Sequence, residues 1–539
     1  MAIAIRHQIK HGFVRRVPSL HHEHTSYKWW VLANVMIGTF MAVLDATIVN
    51  VALPKIMASF GITVDKAEWV ITAYMLVFAI MLSTSGWIAD HFGYKRTYLL
   101  ALFLFTLGSF LCGLAWNEDA LIMFRIIQAS GAGLLTPTGM AIITREFPPQ
   151  QRGIAIGFWS IASAASVSLG PMIGGYLIDN INWNTIFNIN VPVGIIGIFA
   201  TIIIQREYKT DHSRSFDVIG FLSMATFLCA LLLALTDGNA SWNTGGWSSP
   251  FIISCFVISA FAFTLFLVVE FTTEHPLIDL RLFKDINFSV ANGVLFIFGF
   301  GMFGSTFLLP LYLQTSLGYT AFQAGSLFLP VGIIQAIISP IAGYFSDKVN
   351  PKIPAVIGII LMAMSLYVNS FLSLYSEHHQ IMLSLYIRGF AMGLMFTPLS
   401  TAALSNIPRH KIGQASGLFN TIRQVGGSFG IAFMSTLLLQ RTIYHTAAYG
   451  QVVNQQSEAF SQVTQQLTQF SMNAIGGNQT LATMRASALI AAHVSTQAFI
   501  SAVCDDFFVA SIITIAALVP ILFLRVRKRN KPINTSALE

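Results

Sequence analysis

Two residues of opposite charge, Asp45 and Arg125, stand inside apolar runs where charge is costly. Asp45 lies in Leu44-Asp45-Ala46-Thr47-Ile48-Val49-Asn50, a stretch that ends at Pro54. A carboxylate in hydrocarbon costs about 2.5 to 3.5 kcal/mol on insertion scales, so its presence requires a partner or a task. Burial favours the neutral acid and a nearby guanidinium favours the anion. A carboxyl group placed between the two can take up and release a proton. Arg125 has the matching depth. Asp45 falls about eight residues before the outer end of its apolar run and Arg125 about six after the outer start of its own. At roughly 1.5 Å per residue, both lie roughly 9 to 12 Å below one surface. Gln128 is one turn from Arg125 and shares its face. Proton coupling is the chemistry this pair suits; a static ion pair that closes a helix bundle is the alternative. Thr47, Asn50 and Gln128, with Arg388, Asn420 and Arg423 further along, are polar groups inside apolar runs and are the candidates for a substrate cavity.

A second group of residues could govern movement rather than chemistry. Gly86-Trp87-Ile88-Ala89-Asp90-His91-Phe92-Gly93-Tyr94-Lys95-Arg96 sets small residues, a carboxylate and two cations around a very short loop. Glycine permits close helix approach, and Asp90 can bond a cation or a helix N-terminus. Asp347 recurs in the same setting, in Gly343-x-x-x-Asp347. Gly170-Pro171-Met172-Ile173-Gly174-Gly175 is a run that kinks a helix and exposes backbone for tight packing.

The elements that must position these residues are membrane helices. The chain of 539 residues is 55% hydrophobic and 10% charged, with mean hydropathy +0.67, whereas soluble domains carry roughly 25% charged residues. Apolar runs able to cross about 30 Å of hydrocarbon recur along nearly the whole length. They are continuous, without the period-two alternation of barrel strands. Spans are expected to begin near residues 29, 67, 96, 119, 152, 184, 216, 248, 286, 321, 352, 380, 412 and 499. With both tails on one side, 23 of the 30 Lys and Arg fall on that side, which orients the tails to the cytoplasm of an inner-membrane protein. The same dispersal argues against nucleic acid as the partner of a chain of net charge +7.

An internal repeat orders the spans. Gly86-x-x-x-Asp90 returns as Gly343-x-x-x-Asp347, Arg125 as Arg388, and Gly153-x-Ala155-x-Gly157 as Gly413-x-Ala415-x-Gly417, all at nearly one offset. Such repeats mark transporter halves. The expected layout is a tail over 1–28, a six-helix bundle over 29–205, two inserted spans over 206–285, a second six-helix bundle over 286–525, and a basic tail over 526–539. Within the second bundle, 442–498 is rich in Gln, Asn, Ser and Thr and is expected outside the membrane as a hairpin turning at Gly476-Gly477. Phe460, Val463, Leu467 and Phe470 recur there at helical spacing and are candidates for docking a partner.

Other chemistries find little support. Cys112, Cys229, Cys255 and Cys504 fall in or beside apolar runs, which disfavours a disulfide framework or a Cys-based metal site. His22-Glu23-His24, with His7, His11 and His21, reads as a solvated tail rather than a metal site. Neither a Walker loop nor a zinc-type His-Glu-x-x-His occurs, so the driving energy is expected from an ion gradient, without a cofactor.

These motifs, with Arg125-x-x-Gln128, Phe187-x-x-Asn190-Val191-Pro192-x-Gly194, Pro276-Leu277-Ile278-Asp279-Leu280 and Gly413-x-Ala415-Ser416-Gly417-x-x-Asn420-x-x-Arg423-Gln424, resemble the major facilitator superfamily. Within it the chain is similar to the fourteen-span drug:proton antiporters of the EmrB and QacA type, over residues 29 to 525, and most to the EmrB-like ones. The resemblance implies an all-α fold of two pseudo-symmetric six-helix bundles plus two inserted helices. It further implies alternating access, a proton-responsive Asp45, a gate around Asp90 and Arg96, and a span-five segment tied to antiport. Lipophilic small molecules would be the substrates, with an EmrA-like membrane-fusion subunit and a TolC-like outer-membrane channel as partners. Ser166 stands where the antiport motif usually opens with Gly, and Ala129-Ser130 replace the usual Gly after Gln128; both changes keep small residues. Span thirteen has Arg423 and no carboxylate, which points to uncharged, weakly acidic or monocationic lipophiles. Export of one endogenous metabolite such as a fatty acid or siderophore, and uptake by symport, stay open.

Overall fold

The structure, a computed structural model, describes residues 27–525 apart from 63, 209–216, 241, 274–275, 277, 409–410, 453–457 and 476–478. The tail histidines, Gly476-Gly477 and the basic C-terminal tail lie outside the described residues, as do the side chains of Asn50 and Pro171.

Every long element among the described residues is a helix. In order these are α1 (Tyr27–Phe60), α2 (Val64–Phe92), α3 (Tyr94–Gly113), α4 (Glu118–Glu146), α5 (Arg152–Asn180), α6 (Thr185–Asn188), α7 (Asn190–Ile204), α8 (Val218–Asp237) and α9 (Pro250–Thr272). The second part holds α10 (Ile286–Thr315), α11 (Ala321–Ser326), α12 (Leu329–Lys348), α13 (Lys352–Asn369), α14 (His378–Leu404), α15 (Ile412–Val452), α16 (Glu458–Ile475), α17 (Gln479–Ala516) and α18 (Leu518–Ile521). Among the described residues 14 helices are long and apolar enough to cross a membrane. Their starts follow the expected ones closely except the last, which begins at Gln479, well before 499.

Helix is the form that satisfies backbone polar groups without water. Short polar side chains start several helices by accepting from free amides: Asn117 from Ala120, Asp217 from Gly220 and Asp285 from Phe288, while Thr320 and Gln323 form a reciprocal capping box. Pro137, Pro310, Pro340 and Pro398 sit inside helices, as buried membrane helices tolerate.

The packing repeats as the motifs do. In the first half α1 lies on α5 and α4 on both α2 and α3; in the second, α10 lies on α15 and α14 on both α12 and α13. The halves join mainly where α5 meets α12 and α2 meets α15. The inserted α8 and α9 pack on each other and reach the bundle through α2 and α15. There Asn239 Nδ2 donates to Thr436 Oγ1 at 2.8 Å, and Trp247 Nε1 donates to the same oxygen at 2.8 Å.

In the polar stretch over 442–498, α16 and the first part of α17 pack on each other. The ends of the stretch continue the crossing helices: α15 runs 41 residues and α17 runs 38. No Gly or Pro interrupts 431–449 or 479–516, so nothing in the backbone stops either helix where the apolar pattern fades. His445 bonds Asp505 at 2.9 Å and Tyr449 bonds Ser501 at 2.8 Å, holding the two extensions side by side. The shorter α16 rests on α17; Phe460 and Leu467 are half-buried, while Val463 and Phe470 are exposed.

Candidate functional site

The depth match of Asp45 and Arg125 is realised as contact. Arg125 Nη1 donates to Asp45 Oδ2 at 2.5 Å, with the two residues 1% and 0% exposed. Gln128 binds both partners: its Oε1 accepts from Arg125 Nη1 at 2.6 Å and its Nε2 donates to Asp45 Oδ1 at 2.8 Å. Nε2 also donates to Ser109 Oγ at 2.6 Å, and Asn190 Nδ2 reaches Asp45 Oδ1 at 3.4 Å. Tyr74 lays its ring against the guanidinium, 3.9 Å from Cζ to the centroid, and Phe187 stands at 5.7 Å. Donors face both carboxylate oxygens, which is the arrangement of an ionised acid. Arg125 of α4 is thus held to Asp45 of α1 both directly and through Gln128.

Thr47, one turn before Asn50 on α1, does not face this core. Its hydroxyl bonds the carbonyls of Leu44 and Ser166, and it packs on Gly170, while Gly174 packs on Ile48. The Gly170 to Gly175 run thus brings α5 against α1 directly beyond Asp45. Gly175 faces Phe322, across the halves.

At the tail side the two copies of the short loop play matched roles. A side chain on Gly86 would come within 2.6 Å of the Gln414 backbone, and one on Gly343 would clash with the Gly153 backbone. Only glycine lets the halves close this far. Asp347 accepts from the amides of Gly153 and Ile154, each at 3.1 Å, across the halves. Asp90 accepts from Tyr94 Oη at 2.7 Å and lies 3.7 Å from Arg145 Nη2. Arg96 is apart from Asp90 and exposed; it and Lys95 offer their amides to Glu207 at 3.2 and 3.1 Å. Gly93 turns the chain between α2 and α3 at φ +98, a conformation reserved for glycine.

Between the halves, aromatic and amphipathic side chains meet. Trp159 of the first half stands 6.0 Å from Phe396 of the second, and Phe396 lies 6.1 Å from Phe419. The Arg423 guanidinium sits 5.1 Å from the Phe396 ring and reaches Asn420 Oδ1 at 3.5 Å, while Asn420 Nδ2 meets Met140 Sδ at 3.7 Å. Arg388, the repeat partner of Arg125, is 1% exposed and none of its nitrogens has a hydrogen-bond partner.

Several participants carried no expectation. Tyr74 and Ser109 look like ordinary span residues, and only three-dimensional packing brings them to the ion pair. Arg145 and Glu207, at span ends, read as anchoring charges. Asp506 offered the same signal as Asp45, a carboxylate within an apolar run.

Comparison with known proteins agrees with this architecture. Residues 35–431 match the model of the Major Facilitator Superfamily. The chain is 32% identical over 493 residues to the multidrug export protein EmrB of Haemophilus influenzae, covering 91% of this chain and 94% of that protein. It is 35% identical over 436 residues to the riboflavin transporter RibZ of Clostridioides difficile, covering 79% and 93%. The crystal structure of the human organic anion transporter MFSD10 shares the fold, with TM-score 0.61 over 92% of this chain and 99% of that one at 12% identity. Fourteen apolar helices, two repeated halves and these likenesses converge: the chain belongs to the Major Facilitator Superfamily and is a multi-pass membrane transporter, not an enzyme.

Proposed function

We propose that the chain expels lipophilic small molecules across the inner membrane in exchange for protons, with both tails in the cytoplasm. The observation that carries this reading is the buried Asp45–Arg125 pair bridged by Gln128. There a carboxyl group is held fully buried against a fixed cation, and a proton arriving on it would weaken that hold. The glycine contacts of α5 with α1 link that change to α5, whose tail-side end meets Asp347 of the other half. Proton uptake at Asp45 Oδ2 loosens α1 from α4, α5 follows, and the tail-side seam is released.

The side chains that meet between the halves suit the cargo. Trp159, Phe396 and Phe419 present rings to an apolar molecule, and Asn420 and Arg423 offer donors. No bound cofactor is required, since the gradient supplies the energy. The name of the Haemophilus relative supports drug export, and the long α15 and α17 supply a surface on which an EmrA-like fusion subunit, itself joined to a TolC-like channel, would assemble. A second reading, export of one endogenous metabolite, is favoured by the likeness to a protein named for riboflavin.

The test is proton movement that depends on substrate in inverted vesicles. Wild-type chain should release protons from the vesicle interior when an exported dye is added, and Asp45→Asn should not. Full proton-driven export by Asp45→Asn would remove that acid from the mechanism.

A further inference from the structure

The last span carries a buried acid that the ion pair of the first half does not use. Asp506 of α17 is 0% exposed, and neither carboxylate oxygen has a hydrogen-bond partner. Two contacts fix its height. Cys504 Sγ donates to the Leu372 carbonyl at 3.1 Å and Ser511 Oγ to that of Ala363 at 2.9 Å. The helices run antiparallel, so Asp506 stands level with Asn369, the last residue of α13, toward the end of the bundle away from the tails. Asn369 is itself 0% exposed, with both polar side-chain atoms unpartnered.

The first half has a related arrangement. Asn188 lies on Gly113 at the end of α3 as Cys504 lies on Leu372 just past α13, and two residues on, Asn190 turns its amide to Asp45. In the second half that place holds the acid itself, while α10, the counterpart of α1, contains no carboxylate in its span.

The surrounding charges do not neutralise Asp506. On its own helix Asp505 is bonded to His445 Nε2 at 2.9 Å and lies 3.6 Å from Arg441 Nε, both from α15. Tyr449 of α15 is taken by Ser501, and Tyr312 of α10 by the Ser373 carbonyl. Tyr367 of α13 stands against Phe508, and Glu458 is the single ionisable residue of α16, at its first position. The nearest cation is thus held by Asp505. An ionised carboxylate buried without partner or water is strongly disfavoured, whereas the neutral acid is tolerated.

We propose that Asp506 is a second proton-binding site, holding its proton in this conformation and giving it up when α17 shifts to admit water or Arg441. On release the O–H bond breaks, the electron pair stays on the carboxylate oxygen and the proton passes to water. Each half then holds one proton-carrying acid. The use of this proton in transport rests on the antiport reading above; its presence on Asp506 does not.

Infrared difference spectroscopy on the purified full chain in lipid vesicles, between neutral and alkaline pH, tests the assignment. A carbonyl band of a neutral carboxylic acid should be present at neutral pH, vanish in Asp506→Asn, shift in frequency in Asp506→Glu, and persist in Asp45→Asn. A band that survives Asp506→Asn, or is lost with Asp45→Asn, overturns the proposal, as does its absence from the wild type. Failure of proton-driven export would leave the band in place, so the two readings fall separately.

Discussion

Asp347 accepts the amides of Gly153 and Ile154, so the second half caps the first turn of a helix that belongs to the first. A carboxylate at a helix N-terminus satisfies free amides and opposes the helix dipole, and losing such a cap costs about 1 kcal/mol. Because the cap exists only while the tail-side ends touch, that energy belongs to the closed seam alone. Asp347→Ala should shift the population toward an open tail side by roughly fivefold, read as longer distances between spin labels on the tail-side ends of α5 and α12. An unchanged distance distribution would show that the cap does not hold the seam.

The ion pair predicts an asymmetry between single and double changes. Arg125→Met leaves Asp45 buried without its cation and should destabilise the fold by roughly 3 to 5 kcal/mol. Asp45→Asn with Arg125→Gln removes both charges and should recover most of that stability while export stays without proton drive. Thermal unfolding in detergent and proton flux in vesicles check the two halves of this statement. Equal destabilisation by the single and double variants would count against it.

A pH dependence follows outside the spans. Burial raises the Asp279 carboxyl, but the Lys411 ammonium at 2.5 Å and the Arg281 amide outweigh it, and the group sits below its ordinary range. A lowered folded value means that the contribution to stability is complete above the ordinary carboxylate range, near about 4, and is lost as pH falls through the folded value. The unfolding temperature of wild type should therefore exceed that of Asp279→Asn at neutral pH, with the gap closing in strong acid. A gap that widens on acidification would reverse the sign.

The outer extension separates transport from assembly. Deleting residues 455–485 removes α16 and the start of α17 without touching the ion pair or the tail-side seam. Transport in inverted vesicles should persist, and capture of an EmrA-like fusion subunit should be lost. Undiminished capture would place the docking surface elsewhere.

Much of the fold was legible because lipid leaves few choices: a run of apolar residues must be a helix, and its ends are set by caps such as Asn117 and Asp285. Depth along two helices foretold that Asp45 and Arg125 meet, since both were counted from one surface. What could not be read was azimuth. Thr47 and Asp45 are two residues apart, and only the packing of α5 shows that one faces Gly170 and the other the polar core. The resemblance set a gate around Asp90 and Arg96, but the turn at Gly93 places Arg96 beside Glu207, and Arg145 lies beside the acid. The 442–498 stretch was read from composition, which reports the solvent around a helix rather than where the helix stops.

That unbroken α15 has a mechanical meaning. At about 1.5 Å per residue its 41 residues measure roughly 60 Å, twice the hydrocarbon thickness. A rod clamped in the second half and projecting so far acts as a pointer, since a small tilt of the half sweeps its free tip through a larger arc. Whatever rests on that tip receives the opening and closing of the seam as displacement, without any signal having to pass through lipid.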